Sequence, residues 1–408
     1  MDLVERYLRP GTLSLGDPPP LALYLHLPWC LAKCPYCDFN SHARSASSPA
    51  DWDALEARYL QALVADLEFA LPQVWGRPVI SVFIGGGTPS LFSPAAIDRL
   101  LAAVRARLPL EPGCEITLEA NPGTFERDRF RDYRSAGVNR LSIGVQSFDD
   151  AMLRRLGRVH DGAQARAAIE EAQRSFERVN LDLMYALPGQ DLAHLQRELD
   201  AALSFAPSHL SIYHLTIEPN TRFAAAPPAG LPDDDLASDM LDAIIERTRS
   251  AGLERYEVSA FARPGQRCRH NLNYWQFGDY LGLGPGAHGK LSYPHRVVRQ
   301  VRWREPQAWL DRALAGQPMS NDEEVPRSQL PFEFMLNALR LKEGFALDSF
   351  LARTGLPLSA IEQPLSAAEA RGLIARDWLR VWPTDRGFDF LSDLQALFLP
   401  AQGGPANV

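Results

Sequence analysis

The sequence predicts an α/β protein: a partial (β/α)6 barrel followed by a mostly helical, winged-helix-like C-terminal domain. Three observations carry that reading. Between Leu21 and about Leu215, short apolar runs alternate with longer amphipathic ones, the rhythm of parallel strands joined by crossover helices. Roughly six such units are present, too few to close the eight-unit barrel. Beyond about Arg304 the pattern turns helical, and the stretch WLRVWPTDRGFDFL then reads as two short strands around a turn.

The strand candidates, in order, are LALYLHL from Leu21, VISVFIG from Val79, EITLEAN from Glu115, RLSIGVQ from Arg140, VNLDLMY from Val179 and HLSIYHL from His209. The clearest helix lies between the first two. Ser48 is its expected N-cap and Pro49 its first residue, and Trp52, Leu55, Tyr59, Leu63 and Leu67 share one face. Such a stripe is packing. Pro232 to Asp235 is expected to cap a helix running to about Ala251, after which HNLNYW leads into the Gly-rich stretch GDYLGLGPGAHGK, read as a loop. Helices are expected in PFEFMLNALRL from Pro331 and LSAAEARGLIARD from Leu365. The resulting division is a flexible N-terminal segment (1–20), the barrel (21–230), an extension (231–304), the C-terminal domain (305–400) and a loose tail (401–408).

At 408 residues, 46% hydrophobic and 23% charged, the chain is long enough for a large core and unlike a disordered or disulfide-stapled one. Its net charge of −8 argues against non-specific binding to nucleic acid. No apolar run reaches the roughly 18 residues of a membrane span, and MDLVERYLRP lacks a signal-peptide core, so the cytoplasm is the expected compartment. Three of the five cysteines are packed together, which in such a compartment points to metal or redox chemistry.

Those three, Cys30, Cys34 and Cys37, form C-x3-C-x2-C directly after the first strand. Three thiolates in one tight loop satisfy three irons of a cubane cluster and leave the fourth open to a reactant. Two other readings stand beside it. Zinc binds a Cys3His set, with His42 as the fourth ligand, and Cys34-Pro35-Tyr36-Cys37 alone matches a glutaredoxin-type dithiol. At the end of the second strand, Gly85, Gly86 and Gly87 allow a close backbone approach to a ligand and Thr88 adds a hydroxyl; a tight strand-to-helix turn is the plainer reading. Glu119, Gln146 and Asp182 stand at or near the ends of separate strands, so they converge on a polar ligand or on a buried network. Gly284 to Lys290 fits G-x4-G-K, but Leu291 occupies the Ser/Thr position and Pro285 removes a backbone donor, which argues against a phosphate-binding loop.

YLHLPWCLAKCPYCDF, GGGTPS, LEANPG, GVQSF and LDLMYALPG, in this order, resemble the radical S-adenosylmethionine (SAM) proteins of the coproporphyrinogen dehydrogenase group, and among them the HemW-type branch of haem chaperones. The resemblance runs from about Leu21 into the C-terminal domain. It implies a radical-SAM barrel in which Cys30, Cys34 and Cys37 hold a [4Fe-4S] cluster whose open iron binds SAM, and an electron donor that reduces the cluster. It assigns Tyr24, Tyr36, Gly86, Gly87, Thr88 and Glu119 to the SAM pocket. Gln146, Arg158 and Asp182 match positions that contact a second SAM in the dehydrogenase. That enzyme carries a cysteine two residues after the third ligand, where this chain has Phe39; the substitution marks the chaperone branch. So does His270-Asn271-Leu272-Asn273-Tyr274, which matches an H-N-x-x-Y motif associated with haem, with His270 and Tyr274 as candidate ligands and Cys268 and His288 as weaker ones. The implied function is haem binding and transfer to an acceptor haemoprotein. The alternative is oxidative decarboxylation of coproporphyrinogen III to protoporphyrinogen IX.

Overall fold

A computed structural model describes residues 10–44, 48–123 and 129–400; the expected tail (401–408) and the first nine residues of the expected flexible segment lie outside that range. Six parallel strands sit side by side in chain order: β1 (Leu21–Leu27), β2 (Val79–Gly86), β3 (Leu110–Ala120), β4 (Arg140–Gln146), β5 (Arg178–Tyr185) and β6 (His209–His214). Between them run α1 (Pro49–Val74), α2 (Pro94–Arg105), α3 (Phe130–Ala136), α4 (Gly162–Ser175) and α5 (Leu192–Ser204), and α6 (Asp234–Ser250) follows β6.

Local sequence sets the helix starts. The Ser48 hydroxyl accepts from the Asp51 amide with Pro49 in the first turn, Asp161 and Gln164 form a reciprocal capping box, and Asp191 and Asp233 cap α5 and α6. Strand alternation then sorts the side chains. Leu23, Leu25, Val82, Ile84, Leu118, Ile143 and Leu181 pack in the main core against Tyr59, Leu63, Ile97 and Leu101 of the helices. Their sequence neighbours Tyr24, Phe83, Glu119, Ser142 and Asp182 take the opposite face, toward the barrel interior, so polar groups concentrate there.

The sheet goes further than the six expected strands. On the β6 side it is extended by β8 (Ala260–Ala262) and β7 (Glu254–Arg255). On the β1 side it adds β9 (Asp279–Leu283) in parallel, then β10 (His288–Tyr293), β11 (Arg296–Arg302) and β12 (Met319–Glu324) in antiparallel order, twelve strands among the described residues. The stretch read as a Gly-rich loop is therefore β9, a turn and the start of β10. Gly282 permits this because a Cβ there would lie 2.0 Å from the His288 carbonyl oxygen. Lys290 is the centre of a buried ion pair: its Nζ reaches Asp279 Oδ1 at 3.0 Å and the Phe277 carbonyl at 2.9 Å, so the P-loop-like lysine is structural.

A second core joins Phe334, Phe345, Phe350, Leu365, Val381 and Leu394 around a small sheet of β13 (Phe345–Ala346), β15 (Arg380–Pro383) and β14 (Ile374–Arg376). The two strands expected within WLRVWPTDRGFDFL are shifted toward the N-terminus, because Thr384 caps a short helix, Asp385–Asp389, where a second strand was expected. Residues 10–20 are not a loose end. Leu13 and Leu15 are buried in this second core and their amides donate to His295 and Pro294 carbonyls. Two apolar residues at period two in a Pro- and Gly-rich stretch were too brief a signal. No described helix is long and apolar enough to cross a membrane.

Candidate functional site

The cysteine loop leaves β1 at Pro28 and returns at His42, whose amide donates to the Pro28 carbonyl at 2.7 Å, while a two-residue parallel pairing joins Trp29–Cys30 to His42–Ala43. Trp29 anchors it, packed against Trp52, Tyr59 and Phe92. The Gly-rich turn after β2 is locked onto the same loop: the amides of Gly87 and Thr88 donate to the carbonyls of Leu27 and Trp29, each at 2.8 Å. A Cβ on Gly87 would stand 2.6 Å from Pro28, and on Gly86, whose φ is +119°, 2.6 Å from the His26 ring. Only glycine allows the two loops to meet.

Cys30, Cys34 and Cys37 are half-buried free thiols that open onto one cavity of about 420 Å³, and the cavity also receives Tyr36, Thr88, Glu119, Gln146, Arg158 and Asp182. Strand ends β2 to β5 thus deliver most of the residues singled out in the sequence to one place. Burial pushes the Cys30 thiol up, with the Cys37 and Cys34 thiolates acting in the same direction, while hydrogen bonds from Thr88 and Ser41 favour the thiolate. Among the described residues no three His, Cys, Asp or Glu side chains converge closely enough to hold one ion, and His42 Nε2 is engaged by Asn40 Oδ1 at 3.0 Å. A cubane places each thiolate on its own iron and needs no such convergence.

Charge divides the cavity. Arg158 lies nearest the cysteines, with Nη1 3.7 Å from Cys34 Sγ and Nη2 donating to Asn121 Oδ1 at 2.7 Å and the Gly144 carbonyl at 2.8 Å; its buried Nε has no hydrogen-bond partner among the described residues. A Cβ on Gly144 would crowd this guanidinium at 3.3 Å. Farther in, Glu119 accepts from the Gly86 amide at 3.0 Å, and burial together with the Asp182 carboxylate raises its pKa to about 7. Asp182, also raised by burial, is held by Ser142 at 3.0 Å and Asn180 at 2.7 Å. Gln146 takes φ = 64°, an uncommon backbone state for a non-glycine residue at the end of a strand. Asn121, which ties Arg158 to Thr88 Oγ1 (3.0 Å), was not singled out from the sequence, although it lies inside LEANPG.

A second cavity of about 560 Å³ adjoins the first, sharing Asp38, Phe39, Gly86 and Glu119 as its wall. Tyr24 belongs here, not with the cysteines as expected: its hydroxyl pairs with His26 Nδ1 at 2.9 Å, and Gly86 and Glu119 stand between it and the first cavity. Tyr274 and Tyr280 also line it, their rings 4.3 Å apart in an edge-on contact. His270 lines neither cavity. It is 2% exposed on α7 (Arg269–Trp275), stacked on Phe83, with Nδ1 3.0 Å from Ser81 Oγ and Nε2 3.2 Å from Tyr274 Oη. Helical spacing of four residues places Tyr274 above it, so within the H-N-x-x-Y motif the histidine supports the tyrosine. Cys268 is buried beside Glu115 at 3.6 Å, its thiol pushed up to about 12 by burial.

Residues 24–202 match the radical SAM superfamily model and residues 325–390 the HemN C-terminal domain model. The chain is 47% identical over 388 residues to a protein named heme chaperone HemW in Escherichia coli, spanning 93% of this chain and 98% of that one. The chain belongs to the HemW family of radical SAM proteins. The Haemophilus influenzae HemW is 44% identical, with 93% and 98% covered, and the mouse mitochondrial radical S-adenosyl methionine domain-containing protein 1 is 40% identical, with 82% and 78% covered. In fold, the chain superimposes on E. coli coproporphyrinogen III oxidase, HemN, with a TM-score of 0.78 over 93% of this chain and 90% of that one, at 23% identity. HemW-family membership implies a [4Fe-4S] cluster and SAM, and the residues present fit both. Three thiols face one cavity, glycine turns leave backbone room, the buried Arg158 Nε has no hydrogen-bond partner among the described residues, and two carboxylates are raised by burial beside one another.

Proposed function

We propose that this protein is a haem chaperone, binding haem and passing it to an acceptor haemoprotein, with a [4Fe-4S] cluster and SAM in the first cavity. The observation that carries this reading is Phe39. It follows Cys37 at the position where the dehydrogenase's extra cysteine is expected, it is 62% exposed, and it stands in the wall shared by the two cavities. Full-length likeness to proteins named heme chaperone supports it. Cys30, Cys34 and Cys37 would hold the cluster, which supplies one-electron chemistry toward SAM once an external donor reduces it. Arg158 is placed to pair with a carboxylate next to the cysteines. Glu119 and Asp182 favour a positively charged guest deeper in the cavity, and Gly86 and Gly87 present backbone to it. Tyr36, packed on Phe223 and close to Arg158, covers the side of the cysteine loop. Gln146 holds a further amide toward the same space.

The test is an anaerobic comparison of two outcomes. Reconstituted protein given haem is expected to take it up stoichiometrically and release it to an apo-haemoprotein. The same preparation given SAM, a reductant and coproporphyrinogen III is expected to give no multiple-turnover formation of protoporphyrinogen IX; turnover there refutes the chaperone reading.

A further inference from the structure

The second cavity contains an imidazole that stands outside the cysteine-lined cavity. Three histidines lie in or beside it, and their ring nitrogens differ. His26 has both occupied, Nδ1 by Tyr24 Oη and Nε2 by the Asn40 carbonyl, each at 2.9 Å. His270 has both occupied by Ser81 and Tyr274. His288, at the start of β10, is exposed and lines the cavity, and no hydrogen bond engages its ring among the described residues. His214, the other open imidazole nearby, faces the cysteine cavity that the cluster and SAM would fill.

We propose that the second cavity is the haem seat and that His288 supplies the axial imidazole to the haem iron, with His270 acting only through Tyr274. This rests on the chaperone reading above and deepens it. The space, about 560 Å³, falls within the range of small-molecule sites. Its walls carry the aromatic rings of Phe39, Tyr274 and Tyr280, suited to a flat apolar macrocycle. Arg304, exposed and also lining the cavity, offers a guanidinium suited to a haem propionate. Ligation needs a neutral imidazole, which donates a lone pair without any redox change. Partial burial and the nearby Arg299 lower the His288 pKa from its ordinary value, which favours the neutral ring. An exposed ligand on a strand end is also one that an acceptor can replace, whereas a histidine locked by two hydrogen bonds under Phe83 has to be unpacked first.

The experiment titrates ferric haem into the full chain, cluster-loaded and anaerobic, following the Soret band, the ferric EPR signal and fluorescence quenching. His288→Gly is expected to lose the wild-type Soret position and to weaken binding by about tenfold or more, and added imidazole is expected to restore the band by filling the space left. Arg304→Gln is expected to weaken binding several-fold with the Soret position unchanged. His270→Ala is expected to keep the imidazole-type spectrum. A wild-type Soret position and affinity in His288→Gly overturns the assignment, as does a His288→Gly spectrum that imidazole leaves unaltered. If the wild-type protein itself takes up no haem, the chaperone reading fails first; if it does and His288→Gly matches it, only the ligand assignment fails. Cluster absorbance, measured in each variant, reports folding independently.

Discussion

Glu119 offers the sharpest quantitative check on the electrostatics of the cysteine cavity. Its carboxyl is buried next to Asp182, and these two effects outweigh the hydrogen bond from the Gly86 amide, so its pKa stands at about 7 against an ordinary 4.5. In the unfolded chain the group ionises near 4.5, whereas the folded protein keeps its proton until about 7. Its contribution to stability is therefore fully present below 4.5 and is lost as pH rises through 7. At about 1.4 kcal/mol per pKa unit the whole effect is about 3 kcal/mol, of which about 2–3 falls between pH 5 and pH 8. Glu119→Gln keeps an oxygen for the Gly86 amide and removes the charge. Chemical denaturation of SAM-free, cluster-loaded protein is expected to show the variant gaining on the wild type by that amount as pH goes from 5 to 8. Calorimetry of SAM binding at pH 6 in buffers of different ionisation enthalpy is expected to show release of nearly one proton by the wild type and much less by the variant, because a cationic guest draws the proton from the carboxyl. A stability difference independent of pH refutes the assignment of the raised pKa.

Other substitutions probe the remaining parts. Cys34→Ala is expected to abolish the cluster, with iron and acid-labile sulfide near zero in anaerobic preparations. Gly86→Ala places a Cβ 2.6 Å from the His26 ring at a φ of +119°, so a loss of about 2–3 kcal/mol in denaturant unfolding is expected, together with weaker SAM binding. Asp279→Asn breaks the buried set formed with Lys290 (3.0 Å) and Arg77 (2.8 Å), at a cost of about 3–5 kcal/mol by the same measurement. His270→Ala opens a cavity beside Phe83 and removes the partner of the buried Ser81 hydroxyl and of the Tyr274 hydroxyl; about 2–4 kcal/mol of stability is expected to be lost.

What was legible in the sequence follows from how local each signal is. β1 to β6 were read from continuous apolar runs, and the start of α1 from Ser48-Pro49, because side-chain oxygen and proline ring act within one turn. That Cys30, Cys34 and Cys37 come together was legible because their spacing alone places them in one loop. Residues 278–290 were misread as a loop, since glycines that usually mark turns serve here to let backbone segments touch: Gly282 against His288 and Gly284 against His26. That information is tertiary. The same holds for Tyr24. Alternation places it on the interior face of β1, but which interior cavity it meets depends on Gly86 and Glu119 arriving from neighbouring strands. For His270, the motif gave the residue type but not its burial or its two partners.

The shared wall between the cavities connects these observations. Glu119 and Gly86 bound both spaces, and Gly86 is hydrogen-bonded through its amide to Glu119 while the His26 ring fills the place a Cβ on it would take. His26 in turn holds Tyr24 and the Asn40 carbonyl, and Asn40 donates to the carbonyls of Pro285 (2.9 Å) and Arg304 (2.8 Å), on either side of His288 in sequence. A change in the charge or position of Glu119 on filling the first cavity therefore has a short, continuous path of packed and hydrogen-bonded groups to the rim of the second. Physical continuity of this kind permits coupling, whose size is read as the difference in haem affinity with and without SAM and by linkage must equal the difference in SAM affinity with and without haem.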